Sequence, residues 1–178
     1  MTEAPAARPP RGITRLGLYA YALAAAVLVI DQLSKLWVLN VLDLPSKGQI
    51  PVLSFFRLTM VMNQGVSFGL LRADGPVGRW LLVGAALAVV VALIIWVRKA
   101  DRRLFATALG LIIGGALGNN LIDRARIGEV VDFLDFSGLY FPWVFNIADS
   151  AISIGVVLLL IDSFAPQGPS ADTPDRDN

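Results

Sequence analysis

The chain has 178 residues, 56% of them hydrophobic and only 16% charged, with a net charge of +1 and a mean hydropathy of +0.66. Apolar runs long enough to cross a bilayer make it an integral membrane protein, and basic residues confined to short clusters at segment ends exclude a nucleic-acid-binding face. It contains neither histidine nor cysteine, which removes disulfides, thiolate nucleophiles, Ser-His-Asp triads and the His and Cys zinc sites together.

Residues 1–15, rich in Pro, Ala and Arg, read as a disordered cytoplasmic leader into a first span at about 16–39. Apolar sequence continues well past Ala22-Leu23-Ala24, which favours a retained helix over a cleaved signal peptide. Near its far end Asp31 and Lys35 stand at i and i+4 on one helical face, and a structural ion pair accounts for them. An outer loop, 43–74, follows, punctuated by Pro45, Gly48, Pro51 and Gly65. Within it Phe56, Leu58, Met60 and Met62 alternate with Arg57, Thr59 and Val61, which predicts a short strand at the membrane surface. Asn63 reads as a turn residue, with Gly65 and Gly69 favouring the turn.

A second span, about 80–97, stops at Arg98, Lys99, Arg102 and Arg103, and a third, about 104–121, follows at once. By the positive-inside rule this basic loop shares the cytoplasmic side with the leader. Gly114, Gly115 and Gly118 on the third span predict close helix packing. Beyond an outer loop at 124–143, a fourth span at about 144–161 returns the chain to the cytoplasm, where 166–178 reads as a disordered tail. Residues 16–165 therefore form one all-α domain of four transmembrane helices with a small extracytoplasmic β-containing loop region. Both termini lie inside, and Asp31, Lys35, Asp123, Asp132 and Asp149 gather at the outer face.

Carboxylates at a membrane boundary are expensive unless hydrogen-bonded, paired or used, and 114–150 carries four aspartates: Asp123, Asp132, Asp135 and Asp149. Two carboxylates held close at a half-dry site share one proton and act as acid and base near neutral pH. Such a pair activates water for peptide hydrolysis without metal or other cofactor. Spacing leaves all four as candidates. A small transporter or proton channel would instead spread polar residues through the depth of several helices. A Ser-Lys peptidase would need Ser34 or Ser46 to face Lys35 or Lys47, and helical neighbours at i and i+1 do not face each other.

DQLSK at 31–35, NQGVSFG at 63–69, GNNLIDR at 118–124, VVDF at 130–133 and FNIADS at 145–150 together resemble the lipoprotein signal peptidase (signal peptidase II) family. The likeness keeps the family's order and covers nearly everything between the polar tails. It implies an aspartic endopeptidase of the bacterial cytoplasmic (inner) membrane, monomeric and free of cofactors, with membrane lipid and diacylglyceryl-modified prolipoproteins as its partners. The cut falls just before the lipidated cysteine. The resemblance matches Asp132 and Asp149 to the catalytic pair; Asn63, Gly65, Asn120, Asp123, Arg124 and Asn146 match positions that bind substrate or support that pair. Asp31 with Lys35, and Asp123 with Arg124, are the expected supporting charges. The family reads Gly-Asn, two residues, Asp-Arg, whereas here Asn119 and Asn120 stand in succession; counting back from Asp123 selects Asn120, counting forward from the glycines selects Asn119, and we take Asn120. The loop at 43–74, with Phe55 and Phe56, is expected to fold over the site.

Overall fold

The computed structural model describes residues 12–65 and 75–164. Most of the expected leader, residues 66–74 of the outer loop with Gly69 of the NQGVSFG motif, and the 166–178 tail lie outside the described residues. Among the described residues four helices are long and apolar enough to cross a membrane: Arg15–Val41, Gly75–Val97, Arg103–Ile127 and Ile147–Phe164. The first is α1 (Arg15–Leu36) running on into a π turn (Trp37–Val41), followed by the single turn α2 (Leu44–Lys47). The second is α3 (Gly75–Val97). The third is α4 (Arg103–Ala116), continued by a π segment (Leu117–Asp123) and α5 (Arg124–Ile127), and the fourth is α6 (Ile147–Phe164).

Local chemistry explains where these helices begin. Thr14, placed in the leader by hydropathy, is the N-cap of α1: its hydroxyl oxygen accepts the Gly17 N–H at 3.0 Å. The same hydroxyl donates to the Ala100 carbonyl at 2.8 Å, and the Thr14 N–H donates to Arg98 at 3.0 Å, tying α1 to the loop between α3 and α4. The fourth helix starts at Ile147 rather than 144, because Val144–Phe145 is a strand and Asn146 caps the helix. The third runs six residues past the expected 121, so that the whole GNNLIDR motif is helical.

Helix α4 is the packing centre. Gly17, Ala20, Ala24 and Val27 form the buried stripe of α1 at helical spacing. A Cβ on Gly110 would lie 2.8 Å from the Ala20 carbonyl oxygen, and one on Gly114 2.6 Å from that of Ala24. On the other face of α4, a Cβ on Gly115 would lie 2.5 Å from the Ala148 carbonyl oxygen of α6. In lipid, apolar burial does not drive helices together, and such backbone approach supplies the dispersion contacts that do. Ile154, Val157 and Ile161 of α6 face outward, as apolar residues facing hydrocarbon should.

One end of the bundle carries a four-stranded antiparallel sheet, ordered β1 (Gln49–Pro51), β2 (Arg57–Asn63), β3 (Val130–Asp135) and β4 (Val144–Phe145). The expected strand at the membrane loop is β2; β3, which contains the VVDF motif, is an addition that hydropathy did not reveal. Leu58 pairs with Leu134, but Val61 pairs with Asp132, so β2 holds one extra residue between them. Without that bulge Met60 would stand opposite Asp132. The extra residue puts Val61 there instead, and brings Asn63, two positions on, to the Asp132 side of the sheet.

Candidate active site

The sheet and the start of α6 enclose a cleft of about 780 Å³, lined by Val61, Asn63, Asp132, Phe145, Asp149 and Ile154 among others. Asp132 and Asp149 are the acids among its described lining residues. The sequence left four carboxylates open, and the fold sends the other two elsewhere. Asp135 accepts from the Ser137 N–H at 2.8 Å and the Thr59 hydroxyl at 2.6 Å. Burial alone would raise its acid, but these bonds and Arg57 hold it below the ordinary value, a structural carboxylate. Asp123 is salt-bridged to Lys35 at 2.6 Å.

Asp149 is the third residue of α6, and its surroundings form a reciprocal cap. The Asn146 side-chain oxygen accepts the Asp149 N–H at 2.9 Å, while an Asp149 carboxylate oxygen accepts the Asn146 N–H at 3.2 Å. The amide nitrogen of the same Asn146, fully buried, donates to Asp132 Oδ1 at 2.6 Å. One asparagine thus links both acids. Asp132 Oδ2 accepts from Asn63 Nδ2 at 3.0 Å, and Asp149 Oδ1 accepts from Asn119 Nδ2 at 2.8 Å.

Behind the acids lies a buried charged cluster. Lys35 donates to Asp31 at 2.8 Å and to the Asn119 side-chain oxygen at 2.7 Å, besides its bridge to Asp123. Asp31 also accepts the Ala148 N–H at 3.0 Å, placing a carboxylate at the positive end of α6. Gly118 makes room for this contact, since a Cβ there would sit 2.6 Å from Asp31 Oδ2.

One assignment changes. The contacting asparagine is Asn119, not the expected Asn120, which is outside this network. The reason is the π segment: its i→i+5 bonding, seen in the Arg124 N–H to Asn119 carbonyl bond, widens the turn and lands Asn119 and Asp123 together on the Lys35 side. Arg124 does not pair with Asp123. Its guanidinium donates to the Gln64 and Gly65 carbonyls at 3.1 and 2.8 Å, while Asn63 Oδ1 accepts the Gly65 N–H at 3.0 Å. Arg124 and Gly65 therefore fix the end of β2 and aim Asn63 at Asp132. Sequence reasoning also missed Gln32, which donates to both Asp31 and Asp123 at 3.1 and 2.9 Å; its signal was its place inside DQLSK. Ser34 donates to the Asp31 carbonyl and Lys35 is fully engaged with Asp31, Asn119 and Asp123, so these two do not form a Ser-Lys pair.

Electrostatically, Asp132 is the unusual acid. Burial first, and the neighbouring Asp149 carboxylate second, push it from 3.8 to about 7 against the bonds from Asn63 and Asn146 and the charge of Lys35. Because the folded state holds this proton between about pH 4 and pH 7 and the unfolded chain does not, stability must fall as pH rises through that window and stay lower above it. Thermal unfolding in detergent should therefore drop more steeply with pH for the native chain than for Asp132→Asn. Parallel pH curves for the two would contradict the raised acid.

The comparisons with known proteins agree with this frame. The family model described as signal peptidase (SPase) II matches residues 23–165. The lipoprotein signal peptidase of Caulobacter vibrioides is 60% identical over 156 residues, covering 88% of this chain and 92% of that one. The lipoprotein signal peptidase of Methylorubrum extorquens is 49% identical over 150 residues, covering 83% and 87%. A solved structure described as a bacterial membrane enzyme determined by the in meso method superposes with a TM-score of 0.71 at 30% identity, covering 89% of this chain and 100% of that one. A second of the same description gives 0.70 at 27% identity. With a family model matched over residues 23–165 and near-full-length relatives at 60% and 49% identity, this chain belongs to the signal peptidase II family.

Proposed function

We propose that this peptidase removes the signal peptide from diacylglyceryl-modified prolipoproteins in the bacterial cytoplasmic (inner) membrane, cutting just before the lipidated cysteine. The single observation that carries the reading is the Asn146 bridge: it holds two acids of the cleft in one hydrogen-bonded unit at the mouth of a membrane-spanning helix. Names of relatives at 60% and 49% identity support the lipoprotein substrate class.

In the mechanism, Asp132 and Asp149 share one proton. The ionised member takes a proton from a water molecule, whose oxygen attacks the scissile carbonyl. The neutral member gives its proton to the carbonyl oxygen, and a proton is then delivered to the leaving amine as the carbon–nitrogen bond breaks. The pair titrates as a unit, so neither role belongs permanently to one residue. Asn63, Asn119 and Asn146 are the orienting groups, because each donates to a carboxylate oxygen and fixes the direction of its remaining lone pairs. Lys35, Asp31, Asp123, Arg124 and Gly65 act behind them, on position and field.

The basic segments around residues 98–103 and 8–15 support a cytoplasmic side for both termini, and with it a cleft near the outer face. Its wall includes Ile154, on the outward face of α6, so a substrate helix and its acyl chains reach the acids from lipid. The test is purified full-length protein in detergent offered a prolipoprotein with and without its diacylglyceryl group. Cleavage of the lipidated form alone is expected. Equal cleavage of both would remove the lipid requirement, and cleavage of neither would remove the activity.

A further inference from the structure

The stretch between the two acids contains a surface that the chemistry does not use. No charged residue occurs from Phe136 to Ala148, nor from Gly48 to Phe56. These two segments meet: a Cβ on Gly138 would lie 2.5 Å from Phe55 Cα. Their rings form a ladder, Phe56 to Phe136 at 4.7 Å, Phe136 to Phe145 at 5.8 Å, Phe145 to Phe141 at 5.7 Å and Phe141 to Trp143 at 5.1 Å between centroids. The most exposed part is Leu139-Tyr140, 58% and 97% exposed. Tyr140 is held in the left-handed region at φ 61° by the turn bond from its N–H to the Ser137 carbonyl. A rigid turn thus spends conformational energy to project an aromatic side chain away from the protein.

We propose that the segments 49–56 and 136–143 form one lipid-seating surface, embedded in the headgroup zone at the sheet end of the bundle, with Leu139 and Tyr140 as its deepest-reaching contacts. Two observations choose lipid over a protein partner. The surface joins the hydrocarbon-facing side of α6 without a break, because Phe141, Trp143 and the outward Ile154 line the same cleft. Aromatic rings with one polar edge are at their most favourable in the interface.

Position gives the surface a purpose. Asp132 lies on β3, which leads directly into Phe136, and β4 leads from Trp143 to Asn146 and Asp149. Seating this loop fixes the depth at which both acids meet the membrane. The seating rests on the span assignment alone; its effect on cleavage rests on the peptidase reading above.

The experiment has two arms, both on the full chain in phosphatidylethanolamine/phosphatidylglycerol vesicles. In the first, Trp37, Trp80, Trp96 and Trp143 are replaced by Phe and Tyr140→Trp supplies the only indole. Its emission should be blue-shifted, shielded from iodide, and quenched more by lipids brominated high on the acyl chain than near the methyl end. Free access by iodide would overturn the seating, and so would shielding from both quenchers, which would mean a second copy covers the surface. In the second, Leu139→Asp/Tyr140→Asp should lower cleavage of lipidated substrate in vesicles roughly tenfold while changing the detergent rate less than about twofold. Unchanged cleavage in vesicles, or equal loss in both settings, would overturn the depth-setting role. If the native chain cleaves in neither setting, the peptidase reading fails, and the fluorescence arm still decides the seating.

Discussion

Asp132→Asn and Asp149→Asn should each reduce cleavage of a lipidated prolipoprotein by about a thousandfold or more while the protein remains inserted and folded. General acid–base catalysis by a positioned group contributes on the order of 10²–10⁴-fold, and here one shared proton serves both roles, so loss of either carboxylate removes both. The contrast carries the argument. Asp135→Asn should retain turnover, because Asp135 is taken up by Ser137 and Thr59 on the sheet. Asp123→Asn should retain measurable turnover with lower stability, because its partners are Lys35 and Gln32. These variants are to be compared by single-turnover cleavage beside thermal unfolding. A folded Asp123→Asn as inactive as Asp149→Asn, with Asp132→Asn still cleaving, would replace Asp132 by Asp123.

Lys35→Met should be the most destabilising single change at the site, by about 3–5 kcal/mol, because it strands the buried carboxylates Asp31 and Asp123 without their cation. Asp31→Asn should cost less, since Lys35 keeps its bridge to Asp123. Restoring charge balance with Lys35→Met/Asp123→Asn should recover part of the loss, which simple removal of packing would not produce. The lysine also reaches the acids electrically: its charge lowers Asp132, so a folded fraction of Lys35→Met should lose activity at higher pH than the native chain. Denaturation in detergent and pH–rate curves measure the two effects. A loss below about 1 kcal/mol, or an alkaline limb moved to lower pH, would contradict the cluster as described.

Hydropathy by itself determined the four spans, the strand at β2 and the gathering of acids, amides and Lys35 at one end. The physical reason is that transfer of a segment into lipid is a sum over its own residues, and every spanning backbone must satisfy itself as helix, so neighbours in sequence suffice. Gly114 and Gly115 were legible on the same ground, since only close backbone approach gives helices in lipid a reason to associate. Partnerships were not legible. Asn119 and Asn120 look alike in sequence, and the π segment alone decides which one reaches Lys35 and Asp149. Asp123 lies beside Arg124 in the chain, yet pairs with Lys35, 88 positions away, while Arg124 holds the end of β2. The bulge between Leu58 and Val61 is equally silent in a period-two pattern, and it puts Asn63 on the Asp132 side of the sheet. Each of these depends on the angular offset of one residue within a turn or strand, set by packing between elements distant in the chain, which no local sum over residues contains.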